Sequence, residues 1–206
     1  MPGPYESKQG DQSLGRRILV VQGNPDKSSF CQSLAESYAS AARKEGHQVQ
    51  LVTVSDLKFD PILHHGYRVI QELEPDLKSV QEYFTWAQHI VFVYPTWWGA
   101  VPALLKGLLD RMLLPGFAFK YRKNSPLWDK LLSGKTARLI VTSDAPALWN
   151  RWVTGDPSVR MMKKTVLEFC GISPVAVTRI GSVKFLDEKK RLKCLSNVAQ
   201  MGSRAR

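Results

Sequence analysis

The sequence predicts an α/β protein, a parallel sheet covered by helices on both faces in a three-layer, doubly wound arrangement. Three observations predict it. Residues 90–94, Ile-Val-Phe-Val-Tyr, are an unbroken apolar run of strand formers, the pattern of a central strand buried on both faces. Short apolar runs alternate with segments of helical period along the whole chain, without repeats or low-complexity blocks. The 206 residues, 44% hydrophobic and 23% charged, suffice for one domain with a sizeable core.

The elements follow in order. Residues 16–22 open with Arg16-Arg17 and continue as an apolar strand. Residues 30–44 place Phe30, Leu34, Tyr38 and Ala41/Ala42 on one helical stripe, with Gly46 as the stop. Residues 49–54 return as a strand. Residues 60–74 are irregular, punctuated by Pro61 and Pro75 and carrying the pair His64-His65. A helix over 77–86 precedes the central strand, which Pro95 ends because proline donates no ladder hydrogen bond. Pro102 suits a first helical turn, and Leu104, Leu105, Leu108, Leu109 and Met112 follow at helical spacing. Strands are expected at 137–142 and 175–180, and helices at 159–170, closed by Gly171, and at 187–199.

No apolar run reaches the roughly 18 residues a membrane span needs. Residues 1–15 are polar, lack the apolar core of a signal peptide, and read as a disordered lead-in; residues 16–200 form the domain and 201–206 a basic tail. Cys31, Cys170 and Cys194 are too few and too scattered for a disulfide framework, which points to a reducing, cytoplasmic setting. The net charge of +11 gathers in Lys120, Arg122, Lys123, Lys130, Lys135 and Arg138, in Arg160, Lys163 and Lys164, and in Lys189, Lys190, Arg191 and Lys193. Solvated faces account for such runs as readily as an anionic partner does. No nucleic-acid module accompanies the charge, so a small-molecule anion ranks ahead of nucleic acid. His64 and His65 have no companions at metal-ligand spacing, and no metal site is expected.

Right-handed crossovers place the exit loops of parallel strands along one edge, where ligands of such sheets bind. The first exit loop is Gly23-Asn24-Pro25-Asp26-Lys27-Ser28-Ser29, running into a helix start whose unpaired N–H groups suit a phosphate. A serine there is equally an ordinary helix cap. The loop is neither a Walker A motif nor a G-x-G-x-x-G turn. The second loop holds Thr96, Trp97, Trp98 and Gly99. Adjacent residues point in different directions, so at least one tryptophan lines a cleft unless both are core; a flat aromatic wall suits a flat ligand, read here as a flavin. The third loop, Thr142-Ser143-Asp144-Ala145-Pro146, can bond the edge of a ring or simply turn the chain.

These stretches resemble the flavodoxin-like NAD(P)H:quinone oxidoreductases, the family of DT-diaphorase and of the bacterial modulator-of-drug-activity and potassium-efflux ancillary reductases. The matching segments are residues 24–30, the run Tyr-Pro-Thr-Trp-Trp-Gly-Ala-Val-Pro-Ala-Leu-Leu-Lys-Gly at 94–107, Asp110-Arg111, residues 116–121 and Glu-Phe-Cys-Gly at 168–171. The likeness spans roughly residues 16–180. The resemblance implies a five-stranded sheet of order 2-1-3-4-5, a tightly held flavin and a homodimer with two sites at its interface. It implies that Asn24, Ser28, Ser29 and Phe30 surround the phosphate. Pro95, Thr96, Trp97 and Trp98 hold the isoalloxazine, with backbone N–H groups aimed at the ring, and Thr142, Ser143 and Asp144 line its far edge. The resemblance further implies that Phe119 and Tyr121 reach over from the partner subunit to floor the quinone pocket; Trp149, where the chain departs from the family, is a candidate wall for it.

The chain departs from the family pattern at Asn24, where a histidine is common, and at Cys31, where an asparagine is common. Beyond the third loop DT-diaphorase carries a tyrosine and a histidine; this chain has Trp149, Asn150 and Trp152, so no catalytic proton donor is assigned. Cys31 reads as a buried helix residue. The implied activity is two-electron reduction of a quinone by NADPH or NADH through FAD, with FMN as the other candidate flavin. The basic segments favour NADPH. A flavin-loaded regulatory subunit of a membrane ion transporter is the alternative, and an acidic electron-carrying flavodoxin fits the charge poorly.

Overall fold

A computed structural model describes residues 15–205; the expected lead-in, except its last residue, lies outside the described residues, as does Arg206. Seven strands and seven helices follow in chain order: β1 Arg17–Gln22, α1 Phe30–Lys44, β2 Gln48–Thr53, α2 Pro75–Trp86, β3 His89–Pro95, α3 Ala103–Met112, β4 Phe119–Tyr121, β5 Trp128–Lys130, β6 Thr136–Thr142, α4 Ala147–Trp152, α5 Pro157–Arg160, α6 Glu168–Cys170, β7 Val175–Ile180 and α7 Glu188–Ser203. Five strands pair in parallel in the order β2-β1-β3-β6-β7. Counting only these strands, the topology is the expected 2-1-3-4-5.

Alternation along each strand splits the core in two. Leu19, Val21, Ile90, Phe92, Tyr94 and Leu139 face α2, α3 and the α5–α6 segment. Ile18, Val20, Val91, Val93 and Ile140 face α1 and α7. All seven residues of β3 are buried, as its unbroken apolar run requires of the middle strand. The helices sit on both faces, so every parallel strand exits at the same edge.

Several boundaries moved for physical reasons. Pro75 is the first helical residue of α2, where its missing N–H costs nothing, so the helix starts before residue 77. Pro102 stands at the cap position of α3, one place before the expected first turn. The last helix runs past Ala199 into the supposed tail, because Gly202 is where α7 crosses α1. A Cβ there would lie 2.2 Å from the carbonyl oxygen of Tyr38, so only glycine permits the approach. The helix expected at 159–170 is continuous from α5 to α6 through a π-helical stretch, Met161–Leu167. The antiparallel β4–β5 hairpin and the short α4 were not anticipated.

The irregular segment between β2 and α2 is pinned by one residue. Arg111 on α3 is completely buried; its guanidinium donates to the carbonyls of Asp60 and Glu72 and makes a two-pronged ion pair with Glu74 at 2.9 and 3.1 Å. His64 bonds Asp60 at 2.7 Å on the exposed side of the same segment. No described helix is long and apolar enough to cross a membrane. Some of the cationic side chains have partners within the chain, on its surface or beneath it. Arg122 pairs with Asp129, Lys164 with Glu168, Lys135 holds the carbonyls of Thr85 and Ala87, and Arg138 bonds Thr178.

His89 opens β3 almost fully buried, with Nδ1 2.7 Å from the Thr136 hydroxyl. Burial first, then the charges of Arg16 and Arg138, lowers its pKa from 6.5 to about 4. The folded chain therefore holds a neutral imidazole where the unfolded chain takes up a proton below pH 6.5. The sign follows: stability from this group is complete above that pH and is lost as pH falls toward 4, to a limit of about 3 kcal/mol. Thermal melts of the protein and of His89→Leu between pH 7 and 4 check this; the variant's curve should be the flatter over that window.

Candidate active site

The first exit loop is built from side chains that bond its own backbone. Asn24 Oδ1 accepts from the Asp26 N–H at 3.0 Å, and Asp26 Oδ1 from the Ser28 N–H at 2.8 Å. Ser29 then caps α1, its hydroxyl accepting from the Gln32 N–H at 3.4 Å. Ser29 is thus a helix cap, as one of the two readings held, and Ser28 stands exposed beside it. The first N–H groups of α1, those of Phe30 and Cys31, have no acceptor within the helix by construction. Lys27 pairs with Asp56 and ties the loop to the turn after β2.

The second loop is a tight reversal. Trp97 and Ala100 exchange backbone hydrogen bonds of 3.0 and 2.8 Å around Trp98 and Gly99, both left-handed at φ +51° and +73°. Two positive φ values in succession define a type I′ turn, which glycine accepts freely and tryptophan does not. Neither tryptophan is core: Trp97 is 45% exposed and Trp98 fully exposed. A bulky aromatic held in a strained turn and left in water is costly twice over, and such costs concentrate at functional sites. The Thr96 N–H is already spent on the Thr142 carbonyl at 2.8 Å, and the Trp97 N–H on Ala100. The outward N–H groups of the turn belong to Trp98 and Gly99. The Thr96 hydroxyl points inward, 2.8 Å from the buried hydroxyl of Ser158 on α5.

The third loop is locked to its surroundings. Ser143 receives the side-chain amide of Asn150 at 2.8 Å, and its carbonyl receives the Val183 N–H at 3.1 Å. Thr142 is buried with its hydroxyl 3.2 Å from the Cys31 sulfur, while Asp144 is exposed. Burial pushes the Cys31 thiol up to about 11, against the lowering contributions of Thr142 and Asn24, so it is a protonated, inert thiol at neutral pH.

The three loops enclose a depression of about 200 Å³. Of the residues expected to hold a cofactor, Asn24, Phe30, Pro95, Thr96, Trp97, Thr142, Ser143 and Asp144 line it together. Ser28, Ser29 and Trp98 do not line it, although they stand on the loops that form it. Cys31 and Val183 line it as well, neither of them anticipated. Arg191 of α7 was also missed. Its guanidinium lies 5.0 Å over the Phe30 ring and donates to the carbonyls of Leu186 and Val183, a fixed cation at the rim.

Phe119 and Tyr121 are elsewhere. They line a second cavity of about 330 Å³ with Tyr67, Leu109, Met161 and Phe169, in an edge-to-face row in which Phe119 meets Tyr121 at 5.2 Å and Phe169 at 5.1 Å. One chain does not bring them to Trp97. Trp149, 54% exposed, rides on α4 beside the third loop and lines neither cavity.

A doubly wound sheet with a depression walled by three strand-exit loops defines a class, the α/β proteins that bind a ligand at the carboxyl edge of the strands. The chain belongs to the flavodoxin-like fold family, whose profile matches residues 16–201. It is 27% identical over 190 residues to an uncharacterized NAD(P)H oxidoreductase of Haemophilus influenzae, covering 88% of this chain and 92% of that one. It is also 27% identical to NAD(P)H dehydrogenase (quinone) 1 of Rattus norvegicus, covering 81% of this chain and 70% of that one. Among solved structures, a protein of Streptococcus mutans is 30% identical with a TM-score of 0.77, covering 91% and 98% of the two chains. An FMN-dependent NADH-azoreductase of Bacillus anthracis in complex with FMN, 19% identical, shares the fold at a TM-score of 0.72, covering 92% and 99%.

Proposed function

We propose that the chain is a flavin-dependent NAD(P)H:quinone oxidoreductase, with FAD as the first candidate flavin and FMN the second. The relatives that match over most of the chain are named as NAD(P)H oxidoreductases and quinone dehydrogenases, which supports the reaction class. The single observation that carries the flavin is the strained, solvent-facing Trp97-Trp98 turn at the carboxyl end of the buried middle strand.

The residues present fit such a group. A flat tricyclic ring needs an aromatic wall, which Trp97 and Trp98 offer, and donors at its polar edge, which the outward N–H groups of Trp98 and Gly99 offer. A phosphate-ended tail needs a helix start, which α1 offers behind Asn24 and Ser29, with Arg191 close by. When bound, the flavin supplies reversible hydride acceptance, taking two electrons from the nicotinamide and passing two to the acceptor. The chain's own part is to orient the ring, to present fixed dipoles where charge develops and to keep water off one face. Thr96 takes part by its place in the loop, since its hydroxyl is committed to Ser158.

The depression falls below the roughly 300–1,000 Å³ usual for a ligand pocket. The aromatic row of Phe119 and Tyr121 lies outside it. A homodimer in which this row covers the partner's tryptophan turn supplies the missing wall, and on this reading the quinone enters between the two. The experiment is direct. The purified protein should be yellow, its released chromophore identified by mass as FAD or FMN, and it should oxidise NADPH or NADH only when a quinone is added. A colourless protein that takes up neither flavin overturns the reading; a yellow one inert toward nicotinamides leaves the fold and removes the reaction.

A further inference from the structure

Residues 150–158, from α4 to the start of α5, reach both the loop that follows β3 and the loop that follows β6. At one end the Asn150 amide donates to the Ser143 hydroxyl at 2.8 Å. At the other the Ser158 hydroxyl, 2% exposed, lies 2.8 Å from the Thr96 hydroxyl. Thr96 and Ser143 both line the depression, with their hydroxyls turned to this segment. The segment is also closed on itself. The Asn150 carbonyl accepts from the Asp156 N–H at 2.8 Å and from the Thr154 hydroxyl at 2.9 Å. The ion pair of Asp156 with Arg179 anchors it to β7. Asp156 is left-handed at φ +51°, a conformation that a residue other than glycine keeps only where its surroundings over-determine it. A Cβ on Gly99 would lie 3.2 Å from Cγ of Pro157, so the tryptophan turn rests against the start of α5. None of the residues of α4 is buried, so this helix adds little to the core, and its ordered polar contacts go to the loops.

We infer that residues 150–158 brace the flavin site, with Asn150 and Ser158 as positioning residues. Acting through Ser143 and Thr96, they fix the gap between the second and third loops and the aim of the tryptophan turn. The inference rests on the flavin reading above. A ring between two loops is gripped well only while their separation is fixed, and dipoles stabilise developing charge only while they are aimed beforehand. The outward N–H groups of Trp98 and Gly99 are such dipoles. Loosening the turn therefore weakens binding of the electron-rich reduced flavin more than that of the oxidised one, which makes the midpoint potential of the bound flavin more negative.

The test compares Ser158→Ala, Asn150→Ala, Thr96→Val and the double variant Ser158→Ala/Thr96→Val with the native chain. Each is read by FMN titration of apo-protein, by the midpoint potential of the FMN-loaded protein and by thermal melting. Ser158→Ala should bind FMN about two- to tenfold more weakly, the worth of one hydrogen bond, and its potential should be more negative than the native one. Beside Thr96→Val the same change should cost no further FMN affinity, because its partner is already gone. Asn150→Ala, on a helix without buried residues, should fold as the native chain does and still bind FMN more weakly. Unchanged FMN affinity in either single variant, or an unchanged potential in Ser158→Ala, overturns the proposal and leaves these bonds to the fold alone, whatever the melting temperature. A Ser158→Ala loss that persists undiminished beside Thr96→Val overturns it too. Native apo-protein that binds no FMN, by contrast, sinks the flavin reading itself, and this inference with it.

Discussion

Changing Trp97 and Trp98 together to alanine is expected to abolish flavin retention: the purified variant should be colourless and bind added flavin at least about thirtyfold more weakly. Stacking on one aromatic side chain contributes about 1–3 kcal/mol per ring face, so losing two of them amounts to a factor of at least about thirty. The fold should survive, because Trp97 is 45% exposed and Trp98 fully exposed, and neither contributes to the core. Trp98→Gly separates the ring from the backbone that carries it. Glycine accepts φ +51° without strain, so this variant should be the more stable by about 1 kcal/mol while still losing affinity. Stability by thermal melting and affinity by flavin fluorescence quenching should therefore move in opposite directions. If the double variant keeps its flavin absorbance, the turn is not the ring's wall.

Arg111→Ala is expected to cost about 3–5 kcal/mol, the range for removing one partner of a buried ion pair. The guanidinium is 0% exposed and satisfies both Glu74 oxygens and the carbonyls of Asp60 and Glu72; no neighbouring donor takes its place in alanine. Denaturant unfolding of the variant against the native chain measures it. The loss should first appear as proteolytic opening of the segment between β2 and α2, which this side chain ties to α3. The pair also has a pH signature. Burial works against the Glu74 carboxylate, but hydrogen bonds from Arg111 and from the Asp60 and Glu74 amides outweigh it and hold its pKa below the usual range. Its contribution is thus intact above the ordinary carboxylate pKa and is lost as pH falls through the lowered one. An Arg111→Ala protein as stable as the native one would show that the segment is held by other contacts.

The candidate site was legible in part. Phe30, Pro95, Trp97 and Ser143, which line the depression, could be singled out because loop chemistry is local: prolines, paired aromatics and short polar residues stand out wherever a strand ends. Ser29 turned out to be spent on a cap and the Thr96 hydroxyl on Ser158, uses that depend on what lies opposite. Cys31, Val183 and Arg191 carry no such signal. Each looks ordinary on its own element, a thiol on a helix stripe or an arginine on the last helix, and matters only for the group it meets across the edge.

What the chain alone determined is the alternation of buried strands with helices, the parallel sheet that alternation demands, and the edge at which its loops gather. Those follow from period and hydrophobicity, which a window of residues contains. Folding decided the contacts between distant parts: Cys31 with Thr142, 111 positions apart, Thr96 with Ser158, 62 apart, and Arg111 with Asp60, 51 apart. It also decided the β4–β5 hairpin, whose three-residue strands are too short to show a period. Trp128 of that hairpin stacks 4.4 Å from Phe169 and donates its indole N–H to the Phe169 carbonyl. Period is a property of neighbours in sequence, whereas a hydrogen bond across the sheet edge or an aromatic stack between segments exists only once the chain has closed on itself.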